Sequence, residues 1–425
     1  MARAVAALAR VESAGLPTAV SRRFGTGGSG GRREEEATHV QVEIGRGRKS
    51  RYSYGFDDVA LVPGALTVDP ELVDLSTDLG GLSLGLPLLA SAMDAVVDPR
   101  AAALISDLGG LGVLNLQGLY CRYSDPEPIF DRVISAAPEE AVSVLQSVYQ
   151  EPVKDELVLQ RIAEMRALGA KVAVSPAPAV AQQMAELIGP GKVDCFVVAA
   201  TVVTAKHISN RWSPPDFRRL ADTVQAPVLV GNCVAYEAAI DLMRAGADGV
   251  LVGVGPGAAC TSRRVLGIGV PQITAAVDCA AARDDYARES GKRVPIILDG
   301  GMRVGGDIAK AFAAGADAVM IGSPLATAAE APGRGYHWGM ATPDPGLPRG
   351  TRVKVGVAGS LKEILLGPAH RDDGTMNLFG ALRLSMASCG ARTLREMQQT
   401  EIVIAPSLPT EGKAQQRAQG LGGTR

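Results

Sequence analysis

Pro295-Ile296-Ile297-Leu298-Asp299, a helical pattern over 306–314, then Gly315-Ala316-Asp317 and Ala318-Val319-Met320-Ile321-Gly322-Ser323: this stretch decides the architecture. Two short runs, each almost wholly apolar, flank one amphipathic segment. A strand that is apolar at successive positions is covered on both faces, which is the signature of a parallel sheet. Gly315 stands where the helix must stop, because a residue without Cβ readily takes the left-handed conformation that closes a helix C-terminus. The unit reads as strand, helix, parallel strand.

Outward from it the pattern repeats. Leu168-Gly169-Ala170 and Ala245-Gly246-Ala247-Asp248 place a glycine in the same position before an apolar run. Such runs occupy 87–93, 110–115, 171–175, 195–201, 227–232, 249–253, 295–299 and 318–323. Eight of them predict an α/β fold, a closed (β/α)8 TIM barrel in a single domain. The apolar stripes of segments such as 235–245 need no further role than covering that barrel.

Composition agrees with one large barrel: 425 residues of which 47% are hydrophobic. With 43 basic and 45 acidic residues the formal charge is -2, too little to hold a nucleic acid or an anionic membrane, so the expected partner is a small molecule. Six cysteines without a CxxC pair and four histidines give no zinc-ligand spacing and suggest the cytoplasm. No apolar run approaches the roughly 18 residues of a membrane span. Residues 1–38, with a Gly/Ser-rich 25–31 and a wholly charged 32–36, read as a disordered extension; as a signal peptide their apolar part is too short and is broken by Arg10. The barrel is expected over 40–405 and a flexible tail over 406–425.

Chemistry in such barrels gathers after the strands, where this chain places Ser91, Met93, Asp94, Asn115, Thr201 and Asn232. After the sixth run stands Gly253-Val254-Gly255-Pro256-Gly257-Ala258-Ala259-Cys260-Thr261-Ser262-Arg263. Glycines let a ligand approach the backbone, and a thiol presented at such a loop can ionise and attack carbon; the bland alternative is a buried structural cysteine. Arg263 and Arg264 would favour the thiolate, or else form a solvated pair. After the last two runs, Asp299-Gly300-Gly301 and Gly322-Ser323 offer backbone amides and a hydroxyl for phosphate and a carboxylate for ribose hydroxyls, which points to a nucleoside monophosphate unless these are merely tight turns. Carbonyls of Gly255, Gly257 and Cys260 are candidates for a potassium ion. His207, His337 and His370 read as ordinary polar residues, with His337, three residues before Met340, the one placed to line a pocket.

Taken together these residues resemble the IMP dehydrogenase/GMP reductase family over 42–405. The resemblance rests on Phe56-Asp57-Asp58-Val59, Ser91-Ala92-Met93-Asp94, Gly231-Asn232, the Cys260 loop, Gly267-Ile268-Gly269-Val270-Pro271-Gln272, Asp299-Gly300-Gly301, Ile321-Gly322-Ser323, Gly339-Met340 and the stretch 378–394. It implies an NAD- or NADP-linked oxidoreductase of purine nucleotide metabolism in which Cys260 attacks C2 of a purine 5'-monophosphate (IMP, XMP or GMP). Ser262 would help to activate water or ammonia. Asp299 would hold the ribose, Gly301, Gly322 and Ser323 the phosphate, Met340 the base, and Ser91 and Met93 the inner wall; Asn232 and Thr201 fall toward the cofactor. A homotetramer is implied as well.

Departures from the family pattern are specific. Only about 55 residues separate Asn115 from Lys171, too few for the inserted CBS pair of the dehydrogenases. The stretch 341–355 lacks the Arg-Tyr pair that activates water, Arg349 replaces a carboxylate or amide, Ala199 and Leu251 replace an acidic and a basic residue, and Ala258 replaces a serine. Loss of the water-activating pair favours the GMP reductase direction, while the general resemblance favours IMP oxidation. A catalytically silent purine-nucleotide sensor is the alternative of a different class. A flavin site at the same phosphate position leaves the Gly-Pro-Gly-to-Cys loop unexplained.

Overall fold

In the computed structural model, which describes residues 41–339, 351–406, 413, 416 and 419, each of the eight apolar runs contains a strand. The strands are β1 (Leu88–Ala90), β2 (Leu111–Asn115), β3 (Ala173–Ser175), β4 (Cys195–Ala199), β5 (Val228–Cys233), β6 (Gly249–Val252), β7 (Ile296–Asp299) and β8 (Ala318–Ile321). They are parallel and close into a barrel in chain order, with Val319 of β8 opposite Leu88 of β1. Side chains alternate along each strand. Leu89, Leu111, Val113, Val197, Leu229, Leu251 and Ile297 fill the interior, while Leu88, Leu114, Phe196, Val230, Val250 and Leu298 face the helices. Both sets are buried, which is why the runs are continuously apolar instead of alternating.

The covering helices are α1 (Pro99–Asp107), α2 (Asp155–Ala167), α3 (Ala181–Ile188), α4 (Phe217–Val224), α5 (Tyr236–Arg244), α6 (Gln272–Ser290), α7 (Gly305–Ala313) and α8 (Leu378–Ser388), the last packed on α7. Asp98 caps α1 by accepting from the Ala101 amide at 2.6 Å. Gly169, Gly246 and Gly315, read from sequence as stop signals, follow α2, α5 and α7 with φ of +81°, +105° and +108°. Between β2 and α2 lie only a 3-10 turn, Leu119–Cys121, and two short helices, Glu127–Ser135 and Ala141–Val148, with no inserted domain.

Four two-stranded pairings lie outside the eight-run pattern among the described residues, and one of them closes an end of the barrel. The hairpin Thr77–Leu79/Leu82–Leu84 sends Leu79 and Leu84 into the barrel interior. Its Gly80 lies so close to the entry of β6 that an added Cβ would stand 2.9 Å from the Asp248 Cβ. The hairpin therefore stoppers the amino-terminal end of the barrel.

At the same end Asp317 accepts from Arg283 and Arg293, each at 2.7 Å, and from the Ile296 amide at 2.9 Å. Burial opposes its charge, but the two guanidiniums hold its carboxyl below the ordinary carboxylate value.

The chain divides into two compact units after Tyr52. Before that point the antiparallel hairpin Gln41–Gly45/Arg48–Arg51 is described by itself. The expected disordered 1–38 lies outside the described residues, as does most of the expected tail 406–425. No helix among the described residues is long and apolar enough to cross a membrane.

Candidate active site

A cavity of about 300 Å³ opens at the carboxyl ends of the barrel strands, within the range of small-ligand sites. Ser91, Met93, Thr201, Asn232, Gly255, Gly257, Cys260, Ser262, Asp299, Gly301, Gly322 and Ser323 all line it. Six different strands thus deliver these residues to one space, while Asn115 lines an adjoining cavity and Asp94 is buried against Tyr149. Met340 and Arg349 lie outside the described residues, although Gly339 reaches the cavity wall.

Cys260 ends the loop that leaves β6, and it is the one exposed cysteine; Cys121, Cys195, Cys233 and Cys279 are buried and Cys389 is half-buried. The reading of Cys260 as a structural core thiol is excluded by that exposure. Its Sγ donates to the Ser262 hydroxyl at 3.3 Å, and Ser262 is itself buried. Loop shape is fixed internally: the Cys260 amide donates to Gly257 O at 3.0 Å, and Arg263 donates to Val254 O at 3.1 Å and Val270 O at 2.8 Å. Arg263 is therefore a loop brace although it stays exposed, and its partial burial lowers its pKa from the ordinary arginine value. Arg264 is exposed. Of the carbonyls expected to hold potassium, that of Gly257 already accepts the Cys260 amide and keeps one further lone pair.

Asp299, at the end of β7, accepts from the Asn232 side-chain amide at 2.7 Å. Burial pushes its carboxyl up to about 6, against the lowering effect of Asn232. Asn232 thus serves the carboxylate as well as the cavity wall. Gly300 and Gly301 have φ of +80° and +85°, a turn that side chains resist. The Gly300 amide donates to Met320 O at 3.0 Å, so of this pair only Gly301 remains a candidate anion donor. At Gly322 a Cβ would stand 2.8 Å from the Met93 sulfur, so glycine there keeps the wall open.

Gln272 carries no role in the sequence reading beyond its place in a motif. It opens α6, is buried, and donates its amide to Asp299 O at 2.9 Å, Gly300 O at 3.2 Å and Val252 O at 3.4 Å. One side chain thereby ties the base of the Cys260 loop to the turn carrying Asp299.

A second, smaller cavity of about 150 Å³ adjoins the first, sharing Ala92, Ser175, Ala199, Ala200 and Asn232 and adding Asn115 and Gln117. Ala199 stands between them where the sequence comparison expected an acid, and Leu251 lies fully buried beneath the larger one.

Of the histidines, His207 is exposed and stacked on Trp212, and His370 is exposed and paired through Nε2 with Ala358 O at 3.1 Å. His337 alone among the three lines the cavity. It lies on β9 (Tyr336–Trp338), paired antiparallel with β10 (Arg352–Lys354). Behind it, the Trp338 indole donates to the Tyr149 hydroxyl at 3.0 Å, and that hydroxyl donates to Asp94 at 2.5 Å. Burial pushes the Asp94 carboxyl up to about 6. No periodicity or motif announces Tyr149.

Known proteins resemble this chain over most of its length. The sequence profile described as the IMP dehydrogenase / GMP reductase domain fits residues 53–339. A protein of Mycolicibacterium smegmatis, named an uncharacterized oxidoreductase, is 38% identical over 85% of this chain and 99% of its own. The inosine-5'-monophosphate dehydrogenase of Methanocaldococcus jannaschii is 30% identical over 84% of this chain and 94% of its own. The crystal structure of an IMP dehydrogenase/GMP reductase-like protein from Corynebacterium glutamicum superposes with a TM-score of 0.80 at 35% identity, covering 86% of this chain and 98% of that one.

Proposed function

The chain belongs to the IMP dehydrogenase/GMP reductase family, and from that membership we propose that it exchanges hydride at C2 of a purine 5'-monophosphate with NAD or NADP through a covalent Cys260 intermediate. One observation carries the reading: the single exposed thiol lines the same cavity as Asp299, Gly301, Gly322 and Ser323. A nucleotide whose phosphate sits at Gly322 and Ser323 and whose ribose meets Asp299 brings its base toward Cys260.

The thiolate of Cys260 adds to C2, forming a carbon–sulfur bond. Ser262, whose hydroxyl accepts a hydrogen bond from the thiol at 3.3 Å, is placed to orient the attacking water. Asp299, with Asn232 beside it, accepts ribose hydroxyls and fixes the sugar. Gln272 keeps those two loops in register. A nicotinamide cofactor, toward which Asn232 and Thr201 are placed, would supply the hydride acceptor or donor. In the oxidative direction C2 loses hydride, and water then releases Cys260 and XMP; in the reductive direction ammonia leaves C2, hydride arrives, and the sulfur departs to give IMP. A potassium ion on the carbonyls of Gly255, Gly257 and Cys260 would stiffen the loop, and no step depends on it. Supporting the reading of a small-molecule enzyme of the cytoplasm are the near-neutral charge and the six unpaired cysteines. A homotetramer accords with the habit of such barrels to associate.

The test is direct. Purified protein is given IMP with NAD and, separately, GMP with NADPH, while reduced nicotinamide is followed by absorbance. Turnover in either assay supports the reading and sets the direction. Nucleotide binding with no turnover in both would replace it by a sensor, a reading that Ala199 and Leu251 would accommodate. Cys260→Ala is expected to abolish turnover while leaving nucleotide affinity within a few-fold, because the ribose and phosphate contacts lie elsewhere.

A further inference from the structure

His337 is 1% exposed, yet neither ring nitrogen has a hydrogen-bond partner among the described residues. A neutral imidazole always presents one donor and one acceptor, and leaving both buried and unmet is costly, so such a group is satisfied by something that enters its space. The space is the cavity that His337 lines. Its position along that wall is fixed by its neighbours. The turn Leu325–Thr327, which follows Gly322-Ser323-Pro324, packs on β9, and two residues beyond His337 a Cβ on Gly339 would lie 3.7 Å from Ala259 O of the Cys260 loop. β9 therefore runs from the Gly322–Ser323 end of the cavity toward the Cys260 end, and His337 stands before it reaches the thiol.

Resting on the purine-nucleotide reading, we infer that His337 is a ligand contact at the phosphate end of the cavity and that its imidazole takes up a proton when a phosphoryl group binds. In the free protein burial alone pushes its pKa down to about 4, so the ring is neutral near pH 7.5. A dianion placed against it favours the imidazolium, which then donates a charge-assisted hydrogen bond. The titratable groups around it are few. Asp299 and Cys260 line the same cavity; Asp94, Tyr149 and Arg122 lie behind Trp338; Tyr336, Arg352 and Lys354 belong to the hairpin, with Arg352 stacked over Tyr336 and donating to Val133 O and Ile134 O. Of the basic groups named, His337 alone lines the cavity.

Calorimetry on the full chain tests this. IMP and GMP are titrated at pH 7.5 in Tris and in HEPES, whose ionisation heats differ, and inosine and guanosine serve as the phosphate-free probes. The expected result is net proton uptake with the nucleotides, up to one per site, and none with the nucleosides. In His337→Gln the uptake should vanish and nucleotide affinity should fall roughly ten-fold or more, as for a lost hydrogen bond to a charged group, with nucleoside affinity little changed. The wild-type proton count stands even where the variant folds poorly, and a melting curve identifies that case. Nucleotides that bind without proton uptake, or a folded His337→Gln that keeps both uptake and affinity, would overturn the inference. Failure of IMP and GMP to bind the folded wild type at all would overturn the nucleotide reading itself, and this inference with it.

Discussion

Asp299 and His337 sit in one cavity, and burial disfavours the charged form of each. For Asp299 the compensating partner is Asn232, so Asp299→Asn leaves one carbonyl to accept from Asn232 and replaces the other, the charged ribose acceptor, by a donor. Nucleotide affinity should drop by about 1.5–3 kcal/mol, the worth of a hydrogen bond to a charged group, read by calorimetry. His337 affects stability with a definite sign. Its folded pKa, about 4, lies below the ordinary histidine value, so below that ordinary value the unfolded chain binds a proton that the folded one refuses. Stability should therefore fall as pH drops from about 6.5 toward 4, by about 1.4 kcal/mol per unit from this group. Melting temperatures across that range should fall less steeply in His337→Gln than in the wild type, and parallel curves would contradict the assignment.

At the scale of elements, the β9–β10 hairpin owes its position to a hydrogen-bonded relay that crosses from Asp94, after β1, through Tyr149 to Trp338. Tyr149→Phe removes the middle oxygen and leaves a buried indole N–H and a buried carboxyl without it. A loss of about 1–3 kcal/mol in stability is expected by chemical denaturation. Since the same strand presents His337 and leads to Gly339, KM for the nucleotide should rise more than kcat falls. A loss of stability with unchanged KM would confine the relay to a structural role. Sequence reading reached one end of this relay, Asp94, because it follows an apolar run. It could not reach Tyr149, which is supplied by a connecting segment whose hydrophobic pattern says nothing about a contact across 55 positions.

Over the whole molecule, the barrel was legible because burial on both faces leaves an unmistakable composition in each strand, and because Gly169, Gly246 and Gly315 punctuate it. The residues of the site were legible for a related reason: chemistry follows the strand ends. The stopper hairpin escaped notice because three-residue strands carry too little pattern to be told from a loop. The Gln272 clamp escaped because a single carboxamide does not advertise three carbonyl acceptors. The amino-terminal end of the barrel is held by ion pairs that sequence alone does not connect. Asp317→Asn should cost about 1.5–3 kcal/mol, since Arg283 and Arg293 lose a buried charged acceptor and keep only the more exposed Asp284. With its folded pKa lowered, the Asp317 contribution is present above its unfolded value near 3.9 and disappears as pH falls through the lower folded one. Wild type and variant should accordingly converge in melting temperature only in strong acid.

Sequestration of four thiols and partial cover over a fifth leave the native protein with a built-in attachment point. A maleimide dye at stoichiometric dose should mark one sulfur per chain without any engineered cysteine. Its emission would then report, in real time, whatever molecule competes for that doorway.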